Sequence, residues 1–263
     1  MTSSKRHLWA VIATTAFLAA CSSTTEDRTA NWTPDQLYNE ARSEVNSANY
    51  TKAIPIFERL EGRAAGTPLA QQAQLEKAYA QYRDGEPAQA IATLNRFIML
   101  HPASPALDYA LYLKGIINFN DNLGLFSWLQ RQDLSERDQR AAKESFESFK
   151  ELVERFPDSR YAADAHQRMV YIVNALAAYE VHVARYYYSR GAYVAAINRA
   201  QLALQDYQDA PALAEALQII ESSYDKLGMT QLRDDTRRVI QASFPEGTGS
   251  TATTKSSSWW KFW

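Results

Sequence analysis

The chain has 263 residues with 28 basic and 30 acidic side chains, a formal charge of −2, and an apolar content of 46%. So balanced a charge argues against a nucleic-acid partner, which needs a concentrated basic face to neutralise phosphates. The one cysteine, Cys21, has no disulfide partner and cannot build a metal site by itself, so stability must come from a hydrophobic core.

Residues 1–20 read as a signal peptide. Lys5 and Arg6 form a positive start, and the apolar run from Leu8 to Leu18 is shorter than the roughly 20 residues a stable spanning helix needs. Leu18-Ala19-Ala20-Cys21 looks like a bacterial lipobox, which predicts an S-diacylglycerol and an N-palmitoyl chain on Cys21 after cleavage. No other cofactor is expected. Cleavage takes two basic residues, so the charge moves to about −4 (28 less two against 30). Several acyl chains give lasting attachment where one holds only marginally. Ser22 follows the cysteine where an aspartate would favour inner-membrane retention, so the outer membrane is the expected destination.

Residues 21–33 read as a lipidated tether of Ser, Thr, Asp and Glu. Thr33-Pro34 is an N-cap followed by proline at the first helical position. From there to Phe244 the apolar spacing is helical, with no alternating strand pattern. Ala53, Ala90 and Ala196 each precede a proline by fifteen residues (Pro68, Pro105, Pro211), and each follows a small residue by twelve (Ala41, Ala78, Ala184). This ~34-residue unit is the tetratricopeptide (TPR) pattern, in which small residues let paired helices approach and proline ends the second helix. The fold expected is all-α, a TPR-like α-solenoid of about five helix-turn-helix repeats.

Repeats one to three occupy 34–157, with Gly115 in the place of Ala78 and an insertion at about 120–137. Repeats four and five occupy 158–244. The first helix of repeat four runs unbroken to Ser189, and Arg233 stands at the small position of repeat five. Pro55 falls a turn inside a helix, where a local kink is expected. The insertion carries Phe126 and Trp128, which either tuck against the array or dock a partner. Residues 245–263 form a Gly/Ser/Thr-rich linker, flexible by composition, that ends in Trp259-Trp260-Lys261-Phe262-Trp263. That cluster suits a membrane interface or an apolar groove, or is a tail without a role.

No phosphate loop, metalloprotease motif or nucleophile elbow is present. His101, His166 and His182 lie far apart, and Glu144-Ser145 and Glu147-Ser148, which are similar to a transglycosylase Glu-Ser pair, sit mid-helix beside Phe146 and Phe149. An enzyme is not expected. Binding should use the first helix of each repeat, which lines the concave side of such arrays. That places Tyr38, Arg42, Leu75, Tyr79, Arg83 and Tyr112 in a tyrosine-rich groove for an extended peptide, while Tyr82 reads as a gap-filler between helices. A further surface gathers Tyr179, His182, Arg185, Tyr186 and Tyr187 with Asn198 and Arg199, as an interface or as a structural joint.

Gln74–Tyr82, Leu94–Pro102, Asp108–Gly115, Phe149–Ala165 and Tyr186–Arg199, with the lipobox and the insertion in repeat three, resemble the BamD (ComL) family over about 33–244. The resemblance implies a lipid-anchored protein on the periplasmic side of the outer membrane, a scaffold and substrate receptor of the β-barrel assembly (BAM) complex. Its implied partners are BamA, through Arg199 in the Asn198-Arg199 segment, other BAM lipoproteins, and unfolded β-barrel proteins that end in an aromatic signal. The tail beyond Pro245 has no counterpart in that family pattern. The alternative is a TPR lipoprotein that organises peptidoglycan enzymes.

Overall fold

A computed structural model describes residues 29, 31–123 and 139–244. The signal peptide, Cys21, most of the tether, the greater part of the insertion and the tail from 245 lie outside the described residues. Ten helices account for most of what is described: α1 Pro34–Asn46, α2 Tyr50–Arg63, α3 Pro68–Arg83, α4 Pro87–Leu100, α5 Leu107–Leu123, α6 Gln139–Arg155, α7 Ala162–Ser189, α8 Tyr193–Asp206, α9 Leu213–Lys226 and α10 Thr230–Ser243. Among the described residues no helix is long and apolar enough to cross a membrane.

The first helix begins where expected. The Thr33 hydroxyl accepts from the Gln36 amide at 3.3 Å, while the Gln36 side chain accepts from the Thr33 amide at 2.8 Å, a complete capping box with Pro34 just inside it. Arg63 reaches back to donate to the Trp32 carbonyl at 2.6 Å, tying the entering chain to the end of α2. Pro55 is accommodated inside α2 on an exposed face.

Two compact units divide between Ala73 and Gln74, a boundary that falls inside α3. In the first, α1 and α2 cross where Ala41 and Ala53 are both fully buried, beside Leu37, Phe57 and Leu60. In the second, the helices pack chiefly on their neighbours in sequence, as repeats do. Ala78 meets Ala90 with Leu94 and Phe97 in one core cluster, and Ala184 meets Ala196 with Ile219 and Ile220 in another. The expected division at 157/158 is not where the units part. The cluster of Leu107, Leu111, Phe149, Leu152, Ala165 and Ile172 runs from α5 through α6 into α7 without interruption.

Repeat three keeps the rule in disguise. Gly115 has its partner in Ser145, fully buried, whose hydroxyl donates to the Gly115 carbonyl at 2.9 Å. Ser145 stands thirty positions on instead of twelve, and the eighteen extra residues equal the insertion expected at 120–137. Glu144 and Glu147 project to solvent from the other side of α6, with Arg140 3.7 Å from Glu144.

The turns inside four of the pairs follow one design. Ala48, Gly85, Gly191 and Gly228 all adopt positive φ (58°, 84°, 75° and 71°). Each stands five residues before the small position of the second helix. In every case its amide donates to the carbonyl three residues back, and the next amide to the carbonyl five back, the Schellman closure of a helix end. Repeat one does this with alanine, whose Cβ makes the left-handed region costly. Ala48→Gly is therefore expected to stabilise the first unit by ~1 kcal/mol, read as a higher urea midpoint at unchanged slope.

Candidate functional site

The α3, α5 and α7 helices of the second unit carry a continuous run of tyrosines. Tyr79 rests half-buried on the α3/α4 core, and its phenol accepts from Arg83 at 2.7 Å while the guanidinium lies 5.7 Å from the ring centre. Tyr112 stacks on Tyr161 with centroids 4.6 Å apart and planes 19° apart, and Tyr109 approaches Tyr161 at 5.7 Å. Arg160, exposed, donates to the Tyr161 phenol and lies 4.7 Å over its ring. At both places an arginine donates to a tyrosine hydroxyl. A guanidinium has five N–H donors in a planar fork, which suits a carboxylate or a peptide carbonyl.

Behind this ledge is a polar brace. The Tyr112 hydroxyl donates to Asp164 Oδ2 at 2.8 Å, and Arg168 Nε donates to the same oxygen at 2.6 Å while its guanidinium covers Phe119 at 4.8 Å. Ser159 donates to Asp108 at 2.6 Å and thereby ties the α6–α7 turn to the start of α5. Partial burial works to raise the Asp164 carboxyl, yet the hydrogen bonds from Arg168 and Tyr112 prevail and hold it below the usual carboxylate range. Burial, with Asp164 adding, raises the Tyr112 phenol. Tyr109 is pushed far above the usual phenol range, first by burial and then by Glu76. Those phenols therefore stay protonated at any physiological pH, as donors and as neutral rings.

The structure redistributes the expected groove. Leu75 does not line it: at 5% exposure it lies in the core with Ala78, Ala90 and Leu94, because its position three residues before Ala78 turns it toward α4. Tyr82 packs on the same core, as a gap-filler should. Tyr38 and Arg42 belong to the first unit, where Tyr38 packs half-buried on the α1/α2 core and its phenol accepts from Gln72 at 2.5 Å. Arg42 is half-buried there. Tyr109, Tyr161, Arg160, Asp164 and Arg168 were missed. A residue count from the small position could have found Tyr109, but Tyr161 and Arg160 lie at a helix start, outside that periodicity.

The second expected surface lies at the α7–α8 end of the unit. Asn198 is exposed. Arg199, 41% exposed, donates at 3.0 Å to Glu180, whose side chain is 4% exposed. Arg199 is thus not a free cation, since it neutralises a buried carboxylate on α7. Beside it Arg185 pairs with Glu215, Arg190 covers Tyr186 at 5.3 Å, and Tyr188 meets Tyr193 edge-on at 5.5 Å. Of the expected reading the geometry shows the structural joint, Arg199 of α8 tied to Glu180 of α7.

Among the described residues no cluster of His, Cys, Asp and Glu could hold a metal ion. His166 lines a cavity of about 190 Å³ with Phe146, Met169 and Val173, and His101 packs on Phe97 at 5.1 Å.

A family model, YfiO, described as outer membrane lipoprotein, matches residues 30–239. The outer membrane protein assembly factor BamD of Neisseria meningitidis serogroup A is 46% identical over 237 residues, covering 89% of each chain. Those of Xylella fastidiosa strain Temecula1 and Vibrio cholerae are each 34% identical, over 91% and 86% of this chain and 83% and 93% of their own. The solved structure of a kinesin light chain with TPR-like repeats covers 83% of this chain at 13% identity and a TM-score of 0.37, so the repeat assignment rests on this chain's own helix pairs.

Proposed function

This chain belongs to the YfiO family of outer membrane lipoproteins, and from that premise we propose that it is a non-enzymatic scaffold and substrate receptor of outer-membrane β-barrel assembly. It would hang in the periplasm from lipid chains on Cys21, join BamA and other BAM lipoproteins, and receive barrel proteins before they fold. The relatives' name, outer membrane protein assembly factor, supports the setting. The observation that carries the receptor role is the tyrosine ledge of α3, α5 and α7 with Arg83 and Arg160 at its rim.

The chemistry follows from what an unfolded barrel strand offers. Extended backbone presents unpaired carbonyls, its side chains alternate with aromatic rings, and a C-terminal strand ends in a carboxylate. Tyrosine rings take aromatic side chains by offset stacking at low entropy cost, because each has only two rotatable bonds. The two arginines at the rim would donate to the carboxylate or carbonyls. Non-covalent capture also fits a receptor that must release its cargo.

The test is a titration of fluorescent barrel C-terminal peptides against the protein and its Tyr79→Ala, Arg83→Ala double variant. Affinity is expected to fall about tenfold, with helical content unchanged. Equal affinity would remove the ledge from the substrate path. A pull-down separates this reading from a peptidoglycan scaffold: BamA should dominate the eluate, and cell-wall hydrolases should not.

A further inference from the structure

The last helix is mounted in an unusual way. It has no buried residue. What holds it on α9 is polar: Arg233 pairs with Asp225 at 2.9 Å, and Arg237 with Glu221 at 2.7 Å. Its apolar residues flank that contact. Leu232 and Val239, 44% and 49% exposed, stand two turns apart on one line of the helix, with Met229 and Leu227 also exposed at its start. In a repeat array each pair is covered by the next, and the last needs either a polar outer face or a cap. Here Leu232 and Val239 stand exposed among charged residues, and the described residues end without a cap.

The chain continues directly from this helix. Residues 245–258 are fourteen mostly small and polar residues, and Trp259-Trp260-Lys261-Phe262-Trp263 closes the sequence. Fourteen residues reach at most ~46 Å and span ~20 Å as a coil, and α10 is ~21 Å long. The aromatic cluster can therefore reach every point of the strip, at an effective concentration that an outside partner would have to match. We propose that the apolar flank of α10 is the docking site of the chain's own C-terminal segment Trp259–Trp263, which caps the array.

The test places a photo-reactive benzophenone amino acid at Trp260 in the full-length protein purified in detergent. Irradiation followed by mass spectrometry should give links within the same chain to residues 229–239. Links to detergent or lipid, to a second copy in a mixture of isotope-labelled and unlabelled protein, or to another helix would overturn the proposal. A thermal cycle gives an independent reading. A stop after Ser258 and the pair Leu232→Ser, Val239→Ser should each lower the melting temperature by about 4 °C. Combined, they should lower it no further than either alone, since both remove one contact; additive shifts would count against docking.

Discussion

Gly115→Val is expected to destabilise the second unit by more than ~3 kcal/mol, a large part of the ~5–15 kcal/mol that keeps a domain folded. The cause is a backbone approach that admits no side chain. A Cβ at position 115 would lie 2.4 Å from Cε1 of Phe149, with two more ring atoms within 2.8 Å, where carbon pairs prefer ~3.5–4.0 Å. Phe149 cannot yield, because it is fully buried among Leu111, Leu152 and Ile172, with Tyr112 on its flank at 6.1 Å. Moving α5 and α6 apart would break the Ser145 bond to the Gly115 carbonyl. Gly115→Ala should cost ~2 kcal/mol, since alanine's better helix propensity returns ~1 kcal/mol of the overpacking. Urea unfolding measures both, and adding Phe149→Leu should recover part of the loss. An alanine variant as stable as the parent would mean that the helices do not approach so closely. Because the tyrosine ledge stands on α5, peptide binding should fall with the fold.

Arg199→Glu is expected to cost ~2 kcal/mol and, under the proposed role, to loosen attachment to BamA at the same time. The substitution sets a second carboxylate against Glu180, which has almost no solvent to relax into. The cost is below the ~3–5 kcal/mol of breaking a fully buried pair, because the Arg199 side chain keeps 41% of its exposure. Loss of co-purification alone would therefore not separate an interface residue from a structural one. Arg199→Met with Glu180→Gln removes both charges and keeps the volumes, and should restore stability to within ~1 kcal/mol. If that double variant is stable but still fails to retain BamA, Arg199 acts in the interface. If it retains BamA, the arginine serves only to join α7 and α8.

The repeat architecture was legible because its cause is local and periodic. A small residue is needed wherever two helices cross closely, and the short fixed turn between them sets the spacing at twelve. Ala41 with Ala53, Ala78 with Ala90, and Ala184 with Ala196 therefore announced the helix pairs before any coordinate, and all six are fully buried. Thr33-Pro34 announced the first helix for the same reason: a cap acts within four residues. Family membership, too, could be read from linear segments.

What only the tertiary structure decided involves partners distant in sequence. Leu75 looked like a groove residue by count, but the side of α3 that faces α4 is fixed by where α4 lies. Ser145 takes the second small position of repeat three thirty residues after Gly115, visible only once α6 was laid against α5. The Tyr109–Tyr161–Arg160 ledge joins α5 to the start of α7 across some fifty residues, and neither periodicity nor composition links them. For Arg199 the sequence left interface and joint open, and only the fold set Glu180 beneath it. The sequence by itself determined which helices pair, because pairing is a neighbour's rule. The fold alone decided which faces meet, because that depends on every helix between.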